Sequence, residues 1–363
     1  MYEDDIAEQY ARFARGETAQ VLARDDRTGE LVFLGVGEAG ERRATALAHY
    51  SCPVPGCDSP RPLSTKGQSV RDHFFHRTAH SHPGGPESLN HLQAKHLLAE
   101  WARGQVARVV DVVVNEEEWA PDVHRRPDVM VTWPDGKRVA IEVEYKAYTP
   151  EAFRAKDEAY RKASVTAIWM FGHTGRYLRP VIRGTQDGPE LAGFKLVPLT
   201  RLLAAAARPI HFVNPIDANV GTLWAPGVPL EAARVDPRWW AGNLRTVGGR
   251  VFPAPVTEVA QLGLAALNDC VLDREFGLVT PTVVDVREER SRVAGQADQD
   301  RLAWEAQEAE RAASRAARSA AHALAPSYRQ PVRQPGNPTG LWCSKCRRPL
   351  ALTLERLGRH VTC

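Results

Sequence analysis

The chain has 363 residues, 43% of them hydrophobic and 25% charged, with a net charge of +3. This is an ordinary globular composition with room for two or three compact units, and the small net charge is weak evidence for a polyanionic partner. No apolar run approaches a membrane span, the acidic start Met1-Tyr2-Glu3-Asp4-Asp5 lacks the apolar core of a secretory signal, and six cysteines in so long a chain do not suggest a disulfide framework. The expectation is a cytoplasmic protein, with no membrane partner, whose cysteines are metal ligands or buried thiols.

Residues 1–50 read as a β-rich segment, with short strands or hairpins around Asp26-Thr28-Gly29 and Gly35-Gly37. Residues 51–83 hold Cys52-Pro-Val-Pro-Gly-Cys57 and then His73-Phe74-Phe75-His76. Two thiolates and two imidazoles in short pairs can close a tetrahedral zinc site, and Gly56 favours a tight turn between the cysteines. His80 and His82 are substitutes for the histidine pair. The alternative is two free cysteines beside a His-rich loop, but ligand types and spacing favour zinc.

A helix is predicted from Glu87 or Ser88 to Arg103, with Gly104 as its stop and Leu89, Leu92, Leu97, Leu98 and Trp101 on its buried side. Glu87, His91 and Lys95 recur every four residues and form one stripe. Taken alone, that stripe reads as the wet face. Val109 to Asn115 reads as a strand, followed by the acidic loop Glu116-Glu117-Glu118.

The stretch from Arg126-Pro127-Asp128 to Lys146 reads as two strands joined at Pro134-Asp135-Gly136. Val139, Ile141, Val143 and Tyr145 share one face; Ala140, Glu142, Glu144 and Lys146 share the other. A three-residue loop with Gly136 left-handed makes Trp133 oppose Lys137 and Asp128 oppose Glu142. Two opposed carboxylates repel unless neutralised, and oxygen ligands suit Mg²⁺ or Mn²⁺. The alternative is a solvated sheet face on which Lys146 offsets the acids. Thr149 as N-cap and Pro150 at the first helical position start a helix reaching about Lys162, and Val165 to Phe171 is a short buried strand. The order helix, strand, strand, strand, helix, strand implies an α/β fold with a mixed sheet flanked by helices.

Taken together, these pieces resemble the CoiA-like competence proteins of the PD-(D/E)XK nuclease superfamily. The resemblance rests on Cys52/Cys57 with His73-Phe74-Phe75-His76, on Glu87…His91…Lys95, on Arg126-Pro127-Asp128 and Ile141-Glu142-Val143-Glu144, and on Phe153…Tyr160 and Ile168-Trp169. It spans roughly residues 45–175. It implies a restriction-endonuclease-like core over 84–200, a metal-dependent nuclease, and DNA, single-stranded or branched, as substrate, with recombination proteins as candidate partners. Asp128 and Glu142 would hold Mg²⁺, Glu87 would reach the metal shell, and His91 and Lys95 would approach the phosphate. The wider motif ends in lysine where this chain has Glu144; CoiA-like proteins often carry glutamine there and some restriction nucleases glutamate. Glu144 and Lys146 therefore both stand as the general base. The other reading is a DNA-binding adaptor with a decayed nuclease core.

Residues 201–285 read as an accessory region, with a short helix over 199–207 running into it, strands at 210–213 and 221–224, Trp239-Trp240, and Cys270 as a buried thiol. Residues 286–325 form a charged, Ala-rich helix with Glu288–Arg292 and Glu308–Arg311 at pair spacing, and 326–338 a flexible linker. The tail 339–363 carries Cys343-Ser-Lys-Cys346, His360 and Cys363, a Cys₃His set suited to a second structural zinc, ringed by Arg347, Arg348, Arg356 and Arg359.

Overall fold

The computed structural model describes residues 10–11, 13, 19–67, 71–82, 86–174, 176–185, 188–205, 208–224, 244–247, 250–253, 259–324 and 341–350. Two compact units are present, Met1–Asp300 and Arg301–Cys363.

The first unit begins with a small lobe. Strand β1 (Leu22–Asp25) pairs antiparallel with β2 (Leu31–Phe33), and the turn between them places Gly29 at φ +77. Helix α1 (Ala39–His49) follows, then β3 (Tyr50–Ser51) on the other edge of β1 and the separate hairpin of β4 (Leu63–Lys66) with β5 (His73–His76). Strands were predicted across this region, but α1 was not. Its buried residues are the small Ala39 and Ala46, so no large apolar periodicity marks it, while its Ala, Glu and Arg content favours a helix.

Helix α2 (Pro86–Val106) joins this lobe to the main sheet. Leu89 packs in the lobe's core, and the Gln93 side chain accepts a 2.6 Å hydrogen bond from the Val21 amide. Ala94, Leu98, Ala99, Trp101, Ala102 and Val106 pack on the sheet. The helix continues past the predicted stop at Gly104. A glycine this near the end costs about 1 kcal/mol, and burial of Val106 holds the last turn in place. The predicted strand at 109–115 is shorter, β6 (Val113–Glu116), because Val109 and Val110 are exposed and the chain turns there.

Among the described residues the central sheet has nine strands, in the order β10 (Arg179–Thr185), β11 (Gly188–Lys195), β16 (Val259–Ala266), β13 (Asn219–Trp224), β12 (Ile210–Asn214), β9 (Val165–Gly172), β8 (Arg138–Glu144), β7 (Val129–Thr132), β6. Its half nearest α2 consists of β6, β7 (Val129–Thr132), β8 (Arg138–Glu144) and β9 (Val165–Gly172). β6–β7 and β7–β8 are antiparallel, whereas β8–β9 is parallel and is crossed over by α3 (Pro150–Lys162). As predicted, Thr149 caps α3, its hydroxyl accepting from the Ala152 amide at 3.2 Å. Val139, Ile141, Val143 and Tyr145 face α2, while Ala140 packs with Met130, Tyr160 and Val165 on the α3 side.

β10 (Arg179–Thr185) and β11 (Gly188–Lys195) form the far edge. After α4 (Pro198–Ala205) come β12 (Ile210–Asn214), parallel to β9, then β13 (Asn219–Trp224) and β16 (Val259–Ala266). Strands from 201–285 thus complete the same sheet as the core. Two-stranded pairs β14 (Leu244–Val247) with β15 (Arg250–Pro253), and β17 (Val271–Asp273) with β18 (Gly277–Val279), accompany it, and Cys270 is buried. Trp239-Trp240 and the 326–338 linker lie outside the described residues. Helix α5 (Pro281–Leu324) is exposed over most of its length after Arg301, where Glu308 and Arg311 pair at 3.1 Å. Among the described residues, no helix is long and apolar enough to cross a membrane.

Candidate functional site

The hairpin turn sets the geometry of the site. The Gly136 amide donates to the Trp133 carbonyl, the Trp133 amide to Lys137, and Gly136 has φ +83, the left-handed conformation a side chain would strain. Register follows: Thr132 opposes Arg138 and Val129 opposes Ile141, so the next pair along is Asp128 with Glu142. Glu142 is buried and Asp128 half-buried. Glu142 is 1% exposed, and its oxygens accept from Lys156 Nζ at 2.7 Å and from the Tyr160 hydroxyl. Asp128 accepts from the Val143 amide at 2.8 Å, and its other oxygen lies 3.1 Å from His91 Nε2. Lys156 also reaches Glu144 at 3.6 Å.

The electrostatics follow from this crowding. Burial pushes the Glu142 carboxyl up to about 7, and the Asp128 charge adds to that, against the opposing pull of Lys156 and Tyr160. Burial also dominates at Glu144 and raises it, again with a contribution from Asp128. At Asp128 burial acts upward too, but the hydrogen bonds from His91 and the Val143 amide outweigh it and hold the group below its ordinary value. Burial disfavours charged His91, yet its bond to Asp128 prevails and raises it. Lys156 is likewise raised, since Glu142 and Glu144 outweigh its burial.

At His91 and Lys95 the helix stripe is not a wet face. His91 meets Asp128, and Lys95, with only 10% of its side chain exposed, pairs with Glu117 at 2.7 Å. That engages Lys95 inside the acidic loop, whose Glu117 amide is tied to the Asp128 carbonyl. The side chain of Glu87 lies outside the described residues. Lys146 is exposed past the end of β8, and the cation delivered to the two glutamates is Lys156. Sequence reasoning missed Lys156 and counted Tyr160 only toward the family resemblance, giving it no role at the site. Their i,i+4 spacing on a helix that follows the acidic strand was the available signal.

The second group is in the N-terminal lobe. Ligand atoms of Cys52, Cys57, His76 and His82 all lie within 4.8 Å of one another, a Cys₂His₂ arrangement able to bind a metal such as zinc. The Cys57 amide bonds back to the Val54 carbonyl, with Gly56 at φ +74, closing the tight turn between the thiols. His76 Nδ1 lies 2.6 Å from the Ser59 carbonyl, while its Nε2 is buried without a protein partner and turned to the cluster. Burial pushes the Cys52 thiol up to about 12, with the neighbouring Cys57 contributing. His73, predicted as a ligand, is not in the group. It stands three residues before His76 on β5, so the two rings point to opposite faces, and His73 Nδ1 bonds the Arg71 carbonyl instead. His82, weighed as a substitute, takes the place, its Nε2 3.3 Å from Cys52 Sγ. Among the described residues this is the one group of three or more such side chains so converged.

In the second unit, Cys343 is buried and Cys346 exposed within a turn closed by the Trp342–Pro349 bridge. The Cys343 amide bonds the Arg348 carbonyl, and the Arg347 amide the Cys343 carbonyl. His360 and Cys363 lie outside the described residues.

The fold and this site define a mixed α/β protein whose central sheet carries a buried acidic cluster. Residues 87–181 match the family described as the competence protein CoiA, nuclease-like domain, which supports a CoiA-like assignment for that segment. Asp128, Glu142, Glu144 and Lys156 all fall inside it, whereas the Cys₂His₂ group precedes it. No curated protein and no solved structure matches the chain.

Proposed function

We propose that the chain is a metal-dependent DNA nuclease with a PD-(D/E)XK-type core, acting on single-stranded or branched DNA during transformation or recombination. The observation that carries this reading is that Asp128 and Glu142 directly follow the paired Val129 and Ile141 at the hairpin's end, inside the segment that matches a nuclease-like domain. A buried and a half-buried carboxylate that repel one another form a hard oxygen donor set, and that set fits Mg²⁺ or Mn²⁺. When bound there, such a cation supplies Lewis acidity to a phosphate and lowers the pKa of a bound water. His91, whose Nε2 lies 3.1 Å from Asp128, faces the phosphate as a hydrogen-bond donor.

In this reading Cys52, Cys57, His76 and His82 hold a structural zinc, and Cys343, Cys346, His360 and Cys363 a second. The protein works in the cytoplasm, and recombination proteins are its candidate partners. The test is cleavage of single-stranded, duplex and branched DNA with Mg²⁺ or Mn²⁺, beside a chelator control. Cleavage that requires the divalent ion supports the reading, and DNA binding without cleavage overturns it in favour of an adaptor. One observation favours that second reading: Lys156 and Tyr160 already satisfy the Glu142 oxygens.

A further inference from the structure

The cation inside the acidic site is fixed from several sides. Lys156 Nζ lies 2.7 Å from Glu142 and 3.6 Å from Glu144, and it stands over the rings of Trp169 and Tyr148 at 5.5 and 5.9 Å. Trp169 is itself held, its Nε1 donating to Asp157 at 2.8 Å, and Asp157 is clamped by Arg208 at 2.8 Å. Two glutamates and an aromatic pair therefore confine one ammonium, which has a second carboxylate within short reach of the first.

We propose that Lys156 is a positioning residue that occupies the Glu142 oxygens as a counter-cation, competes with the divalent metal for them, and yields by shifting onto Glu144. This rests on the metal-dependent reading of the site. A buried ammonium and a divalent cation cannot both sit against one carboxylate without strong repulsion, so one displaces the other. Glu144 gives the displaced ammonium a place to go, 3.6 Å from where it already sits. The aromatic walls keep it from leaving the site, because their ring faces attract a cation in either position. Without metal, Lys156 keeps the acids from repelling; with metal, it is the cation beside Glu144 and the phosphate.

The test is titration of the full-length protein with Mn²⁺ alone, followed by calorimetry and by the melting temperature, on the parent, Lys156→Met and Lys156→Arg. Loss of the competing charge should tighten Mn²⁺ binding to the acidic site about tenfold in Lys156→Met, while Lys156→Arg stays near the parent. Lys156→Met should melt lower than the parent without Mn²⁺ and recover when Mn²⁺ is added. A purely structural salt bridge gives a lower melting temperature that Mn²⁺ does not restore, and that result overturns the inference. Equal or weaker Mn²⁺ binding in Lys156→Met, with the parent still cleaving DNA, overturns the inference alone. Absence of Mn²⁺ binding by both proteins, with no cleavage by the parent, overturns it together with the nuclease reading.

Discussion

The two candidate metal groups are built in opposite ways. In the N-terminal lobe, Cys52, Cys57, His76 and His82 converge with a buried His76 Nε2 that no protein group satisfies. In the central sheet, Asp128 and Glu142 are each engaged by protein donors, from His91, the Val143 amide, Lys156 and Tyr160. An unsatisfied buried nitrogen is costly, so the first group gains most from a permanently held ion. A self-neutralised acidic group is stable as it stands, so a cation there must compete, which suits a site that exchanges its metal. The same contrast appears in the donors: sulfur and imidazole in one, hard oxygen in the other.

The largest expected effect separates the two groups by function. Asp128→Ala or Glu142→Ala should reduce DNA cleavage by at least about 10³-fold, since each removes a charged oxygen ligand. DNA binding measured at fixed salt should change by about threefold or less, because phosphate affinity comes mainly from Lys and Arg. Equal loss of binding and cleavage would mean that the carboxylates support the fold rather than the chemistry.

Next in size is the lobe. Cys52→Ser or His82→Ala should remove about one bound zinc per chain and cost on the order of 3 kcal/mol, seen as a lower melting temperature. His73→Ala, by contrast, should cost about 1 kcal/mol or less and leave zinc content unchanged, because only a bond to the Arg71 carbonyl is lost. Metal analysis showing that His73 and not His82 is required would break the comparison.

A smaller effect follows from the raised Glu142 carboxyl. Its proton affinity in the folded chain is that of a group near 7, against an ordinary 4.5. Between those values the folded state binds more protons than the unfolded, so stability falls as pH rises. In chelator, the unfolding free energy of Glu142→Gln relative to the parent, measured by urea denaturation, should therefore climb from about pH 4.5 to 7, by about 3 kcal/mol at most. A flat difference across that range would show that Glu142 is charged throughout.

The hairpin and its register were legible in the sequence because Pro134-Asp135-Gly136 admits few turns and the alternation around it is strict. Thr149-Pro150 likewise marked the start of α3 plainly. Other features were hidden for specific reasons. Lys156 and Tyr160 reach Glu142 from a helix 14 and 18 positions downstream, which strand alternation does not report. The histidine pair on β5 looked like neighbouring ligands, but a strand's period of two divides them. Helix α1 buries alanines and leaves little hydrophobic signal. The joining of β12, β13 and β16 to the core sheet depends on long-range pairing, which no local pattern specifies.

The most direct measurement is a crystal structure of the protein grown with Mn²⁺, using the anomalous signal to locate the ion. The account predicts a peak bound by both Asp128 and Glu142 at about 2.2 Å, with Lys156 moved off Glu142 toward Glu144. Mn²⁺ absent from the pair, with Lys156 still seated on Glu142, would contradict it.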